Sequence, residues 1–188
     1  MTFLDRPRGN LLPRMETTEK IVEAYVRYVK GWATIPNIKC PGQYEIDLLA
    51  INPATLERYH IETGISISGG FSKLTNEPYS DEDLKVRVKQ AGQRRTIGYF
   101  ALRKFSAPDI CETLSKYGLT PGSYKKVVVS WGWTEDAAKA AIEQCIELWD
   151  FRKIVVEIAN ASQDKRSYYT DDTMRTIQLF AKSFLEDK

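Results

Sequence analysis

YEIDLLAI, residues 44–51, is a short and mostly apolar run that begins after the turn residues Pro41-Gly42 and ends at Asn52-Pro53. Chain breakers at both ends of so short a run favour a largely buried β-strand over a helix. Side chains alternate between the two faces of a strand, so Glu45 and Asp47 share one face.

A second strand is predicted after a short loop, where the sequence alternates over residues 60–68. The side chains of His60, Glu62 and Gly64 occupy one face of this strand, and isoleucines occupy most of the other. A short connection between two such strands predicts an antiparallel hairpin. In a suitable hairpin register, Glu62 comes within reach of Asp47.

Helices are predicted on both sides of the hairpin. The spacing of apolar residues predicts a first helix over about 18–31, which Gly31 and Pro36 end. Further along, Ser106 is expected to cap a short helix that ends at Gly118.

The C-terminal part alternates between strands and helices. We predict a strand at 126–131, a helix capped by Thr134 with Cys145 and Trp149 on its apolar side, and a strand at 153–159. A last helix over about 171–186 presents an apolar face made of Met174, Ile177, Ala181 and Phe184. The order α-β-β-[α insertion]-β-α-β-α predicts an α/β fold with a mixed β-sheet flanked by helices.

Length and composition limit the class of protein. The 188 residues are 43% hydrophobic, which predicts one domain over 16–188, with a helical insertion at about 81–118 and a mobile basic arm at 1–15. No apolar run reaches the roughly 18 residues of a membrane helix, so we expect a cytoplasmic protein without a membrane partner. The three cysteines show no zinc or disulfide spacing and are expected to be reduced.

Positive charge is concentrated locally, although the net charge of the whole chain is only +2. Between Leu84 and Lys104 the sequence carries seven basic residues and no acidic one. The candidate nucleic-acid contacts in this run are Lys85, Arg87, Lys89, Gln93, Arg94 and Arg95. Basic side chains can follow a phosphate backbone, but a solvated helix face explains the run equally well.

Asp47 and Glu62 are the candidate metal ligands. Hard cations such as Mg²⁺ or Mn²⁺ take one or two carboxylates, a carbonyl oxygen, waters and substrate phosphates, and they can activate water against a phosphodiester. The competing interpretation is that both acids are ordinary polar residues of a sheet. Spacing alone does not decide between the two.

The run around Asp47, followed fifteen residues later by Ile61-Glu62-Thr63-Gly64, resembles the half-motifs of the restriction-endonuclease-like PD-(D/E)XK nuclease superfamily. The order of elements extends this resemblance over about two-thirds of the chain and implies a restriction-endonuclease-like core. It also implies metal binding by Asp47, Glu62 and the Thr63 carbonyl. Glu23, or else Glu19, matches the acid that some members carry on the first helix.

The chain departs from the family motif at Gly64, where the family has a catalytic lysine. Lys73 is the nearest basic residue beyond the strand and is the sequence-based candidate to replace it. The resemblance thus implies either a Mg²⁺-dependent endonuclease acting on DNA or RNA, or a catalytically inactive nucleic-acid-binding or scaffolding domain. An enzyme acting on a small anionic substrate and assembly as a homo-oligomer both stay open.

His60 is the single histidine and shares a strand face with Glu62. It is predicted to be an ordinary strand residue, with an auxiliary role as a base or phosphate contact as the alternative. This histidine lacks the partner residues that a zinc site or a Ser/His/Asp triad would demand, which argues against nucleophilic catalysis of the triad type. Trp131 and Trp133 lie where a strand gives way to a helix, and we expect them to pack in a core or an interface.

Overall fold

The computed structural model describes residues 16–65, 73–80, 95–163 and 168–185. The strands are β1 (Ala33–Lys39), β2 (Glu45–Ile51), β3 (Arg58–Thr63), β4 (Lys125–Ser130) and β5 (Ile146–Asp150). The helices are α1 (Thr17–Ala24), α2 (Ile97–Tyr99), α3 (Pro108–Lys116), α4 (Glu135–Glu143), α5 (Phe151–Gln163) and α6 (Asp172–Leu185). Two π-helical segments, Tyr25–Val29 and Phe100–Phe105, continue α1 and α2.

The five strands form one mixed sheet in the order β1-β2-β3-β4-β5. The first three strands pair antiparallel, whereas β3, β4 and β5 are parallel. The helix α4 connects β4 to β5, as a parallel pair requires. The predicted α/β class, with helices flanking a mixed sheet, is confirmed.

The β2–β3 hairpin is antiparallel, as predicted, and its ladder stops before Asp47 and Glu62. Its register runs from Ile51↔Arg58 to Leu48↔Ile61 and stops there. Beyond that pair β2 continues along β1 alone, while β3 continues along β4. The two strands therefore separate where the sequence places Asp47 and Glu62.

The edge strand β1 is absent from the predicted elements, because Pro36 indicates a chain break in the sequence. Proline lacks a backbone N–H and is tolerated at a sheet edge, where that group would not pair. Pro36 lies opposite Leu48 in the ladder with β2, on the outermost strand of the sheet. The proline is compatible with this strand because the strand has a neighbour on one side only.

The prediction was wrong in detail between residues 143 and 163. Helix α4 is capped by Thr134 as expected, but it ends at Glu143, and Cys145 is exposed with a left-handed φ of 53° instead of packing in a helix. Residues 153–159 belong to helix α5 and not to a strand. Ile154 and Ile158 are buried while Val156 between them is exposed, a pattern that fits one face of a helix and not one face of a strand.

The core lies on both faces of the sheet. On one face α1, α5 and α6 pack over residues such as Leu48 and Ile61. On the other, the covering segment (residues 97–105, which are α2 and its π-helical continuation) packs with α4, while α3 packs over Leu49. The site described below lies on this second face.

Other predictions have mixed outcomes. Met174 and Ala181 are buried, whereas Phe184 is 72% exposed, so the predicted apolar face of the last helix does not extend to its end. Gly118 has the expected positive φ, but the residue that precedes α3 is Ala107 instead of Ser106. The basic arm at 1–15 and most of the basic insertion, residues 81–94, lie outside the described residues.

The two tryptophans after β4 pack on opposite sides, Trp131 against the core of α5 and Trp133 against the core of α4. All three cysteines are free thiols. Among the described residues, the helices lack the length and apolar character that crossing a bilayer requires.

Substitutions at two α5 residues test whether this segment is a helix, as in the structure, or a strand, as the sequence predicted. A strand would place Val156 on the same face as Ile158, but in the helix Ile158 is buried and Val156 is 56% exposed. We expect Ile158→Ala to lower the free energy of unfolding by about 2–5 kcal/mol. The matched Val156→Ala should change it by less than about 0.5 kcal/mol. Urea unfolding measures both, and similar losses would contradict the helix.

Candidate active site at the parting of β2 and β3

Three charged side chains from distant parts of the sequence meet where β2 and β3 separate. The Lys104 ammonium donates to Asp47 Oδ1 at 3.2 Å and forms an ion pair with Glu62 Oε2. It also donates to the Glu45 carbonyl at 2.9 Å. The two acids that the sequence predicted to converge therefore do so, around an amine that the sequence did not assign to them.

Backbone groups fix the two carboxylates because the regular ladder has ended. The Thr63 N–H donates to Asp47 Oδ2 at 2.7 Å, and the Asp47 N–H lies 3.4 Å from Glu62 Oε1. Each strand thus supplies a main-chain donor to the acid of the other. This reciprocal arrangement holds Asp47 and Glu62 on the same face of the sheet.

The space beside Gly64, where the family motif has lysine, is already filled. A Cβ built on Gly64 would lie 2.6 Å from Phe100 Cζ, and Phe100 is almost fully buried. Lys104 follows Phe100 by one helical turn on the same covering segment. The segment that excludes a side chain at Gly64 is therefore also the segment that supplies the amine.

Burial and mutual repulsion shift the pKa values of the carboxylates. Burial, and secondarily the charge of Glu62, raises the pKa of Asp47 to about 7, although Lys104 opposes this. Burial also raises the pKa of Glu62. For Lys104 burial opposes the charge, but the two carboxylates outweigh it and hold its pKa above the ordinary value. The Lys104 charge thus lowers both carboxyl pKa values without cancelling the effect of burial.

Of the two acids on α1, Glu19 is the one whose pKa responds to the charge of Asp47. Its pKa is raised to about 7, first by burial and second by the charge of Asp47. Glu23 instead accepts a hydrogen bond from Thr34 Oγ1 at 3.3 Å and lines a cavity of about 220 Å³ with Lys20 and Arg27. Neither acid is grouped with Asp47 and Glu62 as a ready metal cage among the described residues, so a role of Glu23 or Glu19 in metal binding stays a prediction.

Lys73 lies elsewhere. It is exposed, and its Cγ is 3.7 Å from the position of a Cβ on Gly132, just beyond β4. The amine at the carboxylates is that of Lys104, so the geometry favours Lys104 for the role given to Lys73. In the sequence Lys104 is only the end of the basic run, and no local pattern connects it with Asp47.

Of the predicted nucleic-acid contacts, Arg95 is the one that the structure describes. It is half-buried in a turn, where its carbonyl accepts from the Thr75 N–H at 2.9 Å. The others, Lys85, Arg87, Lys89, Gln93 and Arg94, lie outside the described residues, and their role stays a prediction.

His60 is fully buried behind Glu62. Its Nε2 lies 2.7 Å from Glu62 Oε1, and the ring meets Phe105 edge-on with centroids 4.8 Å apart. Burial, reinforced by the positive charge of Lys104, lowers the pKa of His60 to about 3, so the imidazole is neutral near pH 7. A buried ring of this kind has no path to a phosphate in solvent, which argues against direct contact with substrate.

No protein-family model matches the chain, and no curated protein matches it significantly. A crystal structure of a protein of unknown function, AF1548, matches with a TM-score of 0.46 and 13% sequence identity, covering 92% of this chain and 100% of that chain. This likeness assigns neither a family nor an activity.

The Phe100 contact predicts the effect of a side chain at Gly64. Gly64→Ala should lower the free energy of unfolding by about 1–3 kcal/mol, because the new methyl group overlaps the Phe100 ring. In a Phe100→Leu background the same substitution should lower the free energy of unfolding by clearly less, because leucine lacks the end of the ring, where the overlap lies. Equal costs in the two backgrounds, measured by chemical denaturation, would contradict this packing.

The raised pKa of Asp47 predicts how stability changes with pH. Between about pH 4 and 7 the folded protein keeps a proton on Asp47 that the unfolded chain has released. Stability therefore falls as the pH rises through this window. Asp47→Asn removes that contribution and should lose less stability between pH 5 and pH 8 than the unsubstituted protein does.

Urea unfolding in EDTA at both pH values measures this difference. Glu143→Gln, which removes one negative charge from an exposed position on α4, controls for net charge. A pH dependence that is the same in the unsubstituted protein and in the Asp47→Asn variant would show that this carboxyl is not perturbed by burial.

Proposed function

We propose that this chain is a metal-dependent phosphodiesterase of the nuclease type, acting on DNA or RNA through Asp47, Glu62 and Lys104. The observation that carries the proposal is the Lys104 ammonium placed between the two carboxylates at the end of the β2–β3 ladder. Two acids and an amine are the functional groups of the PD-(D/E)XK motif that the sequence resembles. Here the amine comes from the covering segment instead of position 64, and the proposal includes the restriction-endonuclease-like core.

The oxygen donors fit Mg²⁺ or Mn²⁺. Within the described residues, no three His, Cys, Asp or Glu side chains are grouped as a ready metal cage. Mg²⁺ does not require one, because it keeps several waters and takes one or two carboxylates plus substrate phosphate. Asp47 and Glu62 would hold the ion, with the Thr63 carbonyl as a further donor.

When bound, the cation supplies Lewis-acid stabilisation of a phosphodiester and lowers the pKa of an attacking water. The residues of the chain do the rest. Lys104 places its positive charge where negative charge develops on the phosphate, and its N–H groups orient the nucleophile. The Thr63 N–H keeps Asp47 in place through its hydrogen bond to Oδ2.

Substrate would approach from the side of the covering segment. Lys104 is 16% exposed at its side chain, whereas Glu62 is fully buried, so Lys104 forms the outer layer of the site. The basic run at 84–104 ends on this segment. We propose that the run contacts the phosphate backbone, which makes binding weaken as the salt concentration rises.

The alternative function, a catalytically silent binding or scaffolding domain, is favoured by one feature of the same site. Lys104 already neutralises part of the charge of Asp47 and Glu62, and both acids are buried. If Lys104 never moves aside, a cation gains little by binding. Cleavage assays distinguish the two functions.

We expect the purified protein to cut single- or double-stranded DNA or RNA with Mg²⁺ or Mn²⁺, and Glu62→Gln to abolish cutting. Lys104→Met should lower the rate at least about 100-fold, since removing a positioned proton-transfer or charge-stabilising group typically costs roughly 10²–10⁴-fold. Lys139→Met, at an exposed position on α4, should leave the rate within about threefold and serves as the matched control.

Lys73→Met tests which of the two lysines, Lys73 or Lys104, is required for cleavage. If the sequence-based assignment is right, Lys73→Met abolishes cleavage and Lys104→Met does not. The geometry predicts the reverse result. If single- and double-stranded DNA and RNA all stay uncut, and Glu62→Gln and Lys104→Met bind nucleic acid as the unsubstituted protein does, the nuclease proposal is wrong.

A further inference from the structure

His60 is a fully buried titratable residue that the proposed chemistry does not use. Its ring lies between Phe105, at 4.8 Å, and Tyr124, at 6.1 Å between centroids. Burying an imidazole costs free energy unless it gains a hydrogen bond. The partner it gains is Glu62 Oε1, at 2.7 Å.

Glu62 is held from three directions. Oε1 faces His60 Nε2 and, at 3.4 Å, the Asp47 N–H, while Oε2 meets Lys104. Without the imidazole, Oε1 would face the apolar side of the pocket with one long hydrogen bond. His60 is therefore what turns Oε1 inward and leaves Oε2 directed at Lys104.

The position of the ring proton follows from the surroundings. A neutral imidazole carries one N–H, and His60 Nδ1 has no hydrogen-bond partner among the described residues. A proton on Nδ1 would leave the lone pair of Nε2 facing the carboxylate oxygen at 2.7 Å, whereas a proton on Nε2 makes the same contact a hydrogen bond. The proton therefore lies on Nε2, where it is donated to the carboxylate.

We propose that His60 is a positioning residue, whose Nε2–H fixes the side chain of Glu62 so that Oε2 stays directed toward Lys104 and Asp47. A neutral donor suits this role because it orients the carboxylate without neutralising it. When both carboxyl groups are ionised, Asp47, Glu62 and Lys104 together carry a net negative charge that can attract a cation. The consequence for metal binding and cleavage rests on the proposed function, but the hydrogen bond itself does not.

The hydrogen bond can be tested without any activity assay. Because the chain has one histidine, the ¹⁵N NMR spectrum of the imidazole belongs to His60 alone. At pH 7 we expect a protonated Nε2 and an unprotonated Nδ1, with the Nε2 proton shifted strongly downfield. Glu62→Gln should move that proton upfield. An Nδ1-protonated ring, or a proton resonance that Glu62→Gln leaves in place, would overturn the proposal.

The positioning role is tested by a matched pair of substitutions. His60→Gln keeps an N–H donor near the position of Nε2, whereas His60→Leu removes the donor and keeps an apolar filling. Loss of such a supporting hydrogen bond typically lowers metal affinity or activity by roughly 10–100-fold. We therefore expect His60→Leu to raise the half-saturating Mn²⁺ concentration at least about tenfold.

His60→Gln should stay within about threefold of the unsubstituted protein in the same Mn²⁺ titration, followed by calorimetry and by cleavage. Equal effects of the two substitutions would mean that His60 only fills space, which overturns the positioning role. The two proposals fail in different ways. If the unsubstituted protein neither binds Mn²⁺ nor cuts, the proposed function is wrong, while the NMR result still decides the hydrogen bond.

Discussion

The site depends on one positive charge, the Lys104 ammonium, buried between Asp47 and Glu62. Two carboxylates taken out of water repel each other and resist ionisation, which is why the pKa of Asp47 is raised to about 7 even with the lysine present. Removing one member of such a buried group leaves the others uncompensated and typically costs several kcal/mol. The position of the covering segment over the sheet is thus coupled electrostatically to the ends of β2 and β3.

The sheet topology creates the place for this charge. An antiparallel hairpin that continued past Leu48↔Ile61 would pair the main chains of Asp47 and Glu62 with each other. Beyond that pair β2 is paired only with β1, and β3 only with β4. The main-chain N–H groups of Asp47 and Thr63 therefore donate to side-chain carboxylates instead. The covering segment closes the opening, with Phe100 packed on Gly64. The absence of a side chain at position 64 is therefore part of the packing that brings Lys104 in.

Sequence patterns report only on residues that are close together in the chain. This explains both why the two acids were predicted and why the amine was not. Period-two alternation is local, so the faces of Asp47 and Glu62 follow directly from it, and the hairpin that joins them is short. Lys104 lies 57 residues from Asp47 in the sequence, and its position beside the carboxylates depends on how a helix packs across the sheet. Local propensity also predicted the wrong element in two places where packing decides. Pro36 indicated a chain break where the structure has an edge strand. The β-branched run at 153–159 indicated a strand, although the exposure of Val156 between the buried Ile154 and Ile158 fits a helix.

Stability alone does not account for the cluster. A buried ion pair rarely stabilises a fold more than apolar side chains of similar volume would, and the raised pKa values of Asp47 and Glu19 mean that their ionisation opposes folding near neutral pH. Perturbed carboxyl groups around a specific charge partner are more often found where chemistry is done than where a core is merely filled. The cost of holding Asp47, Glu62 and Lys104 together is therefore the physical argument for a function at this point of the sheet.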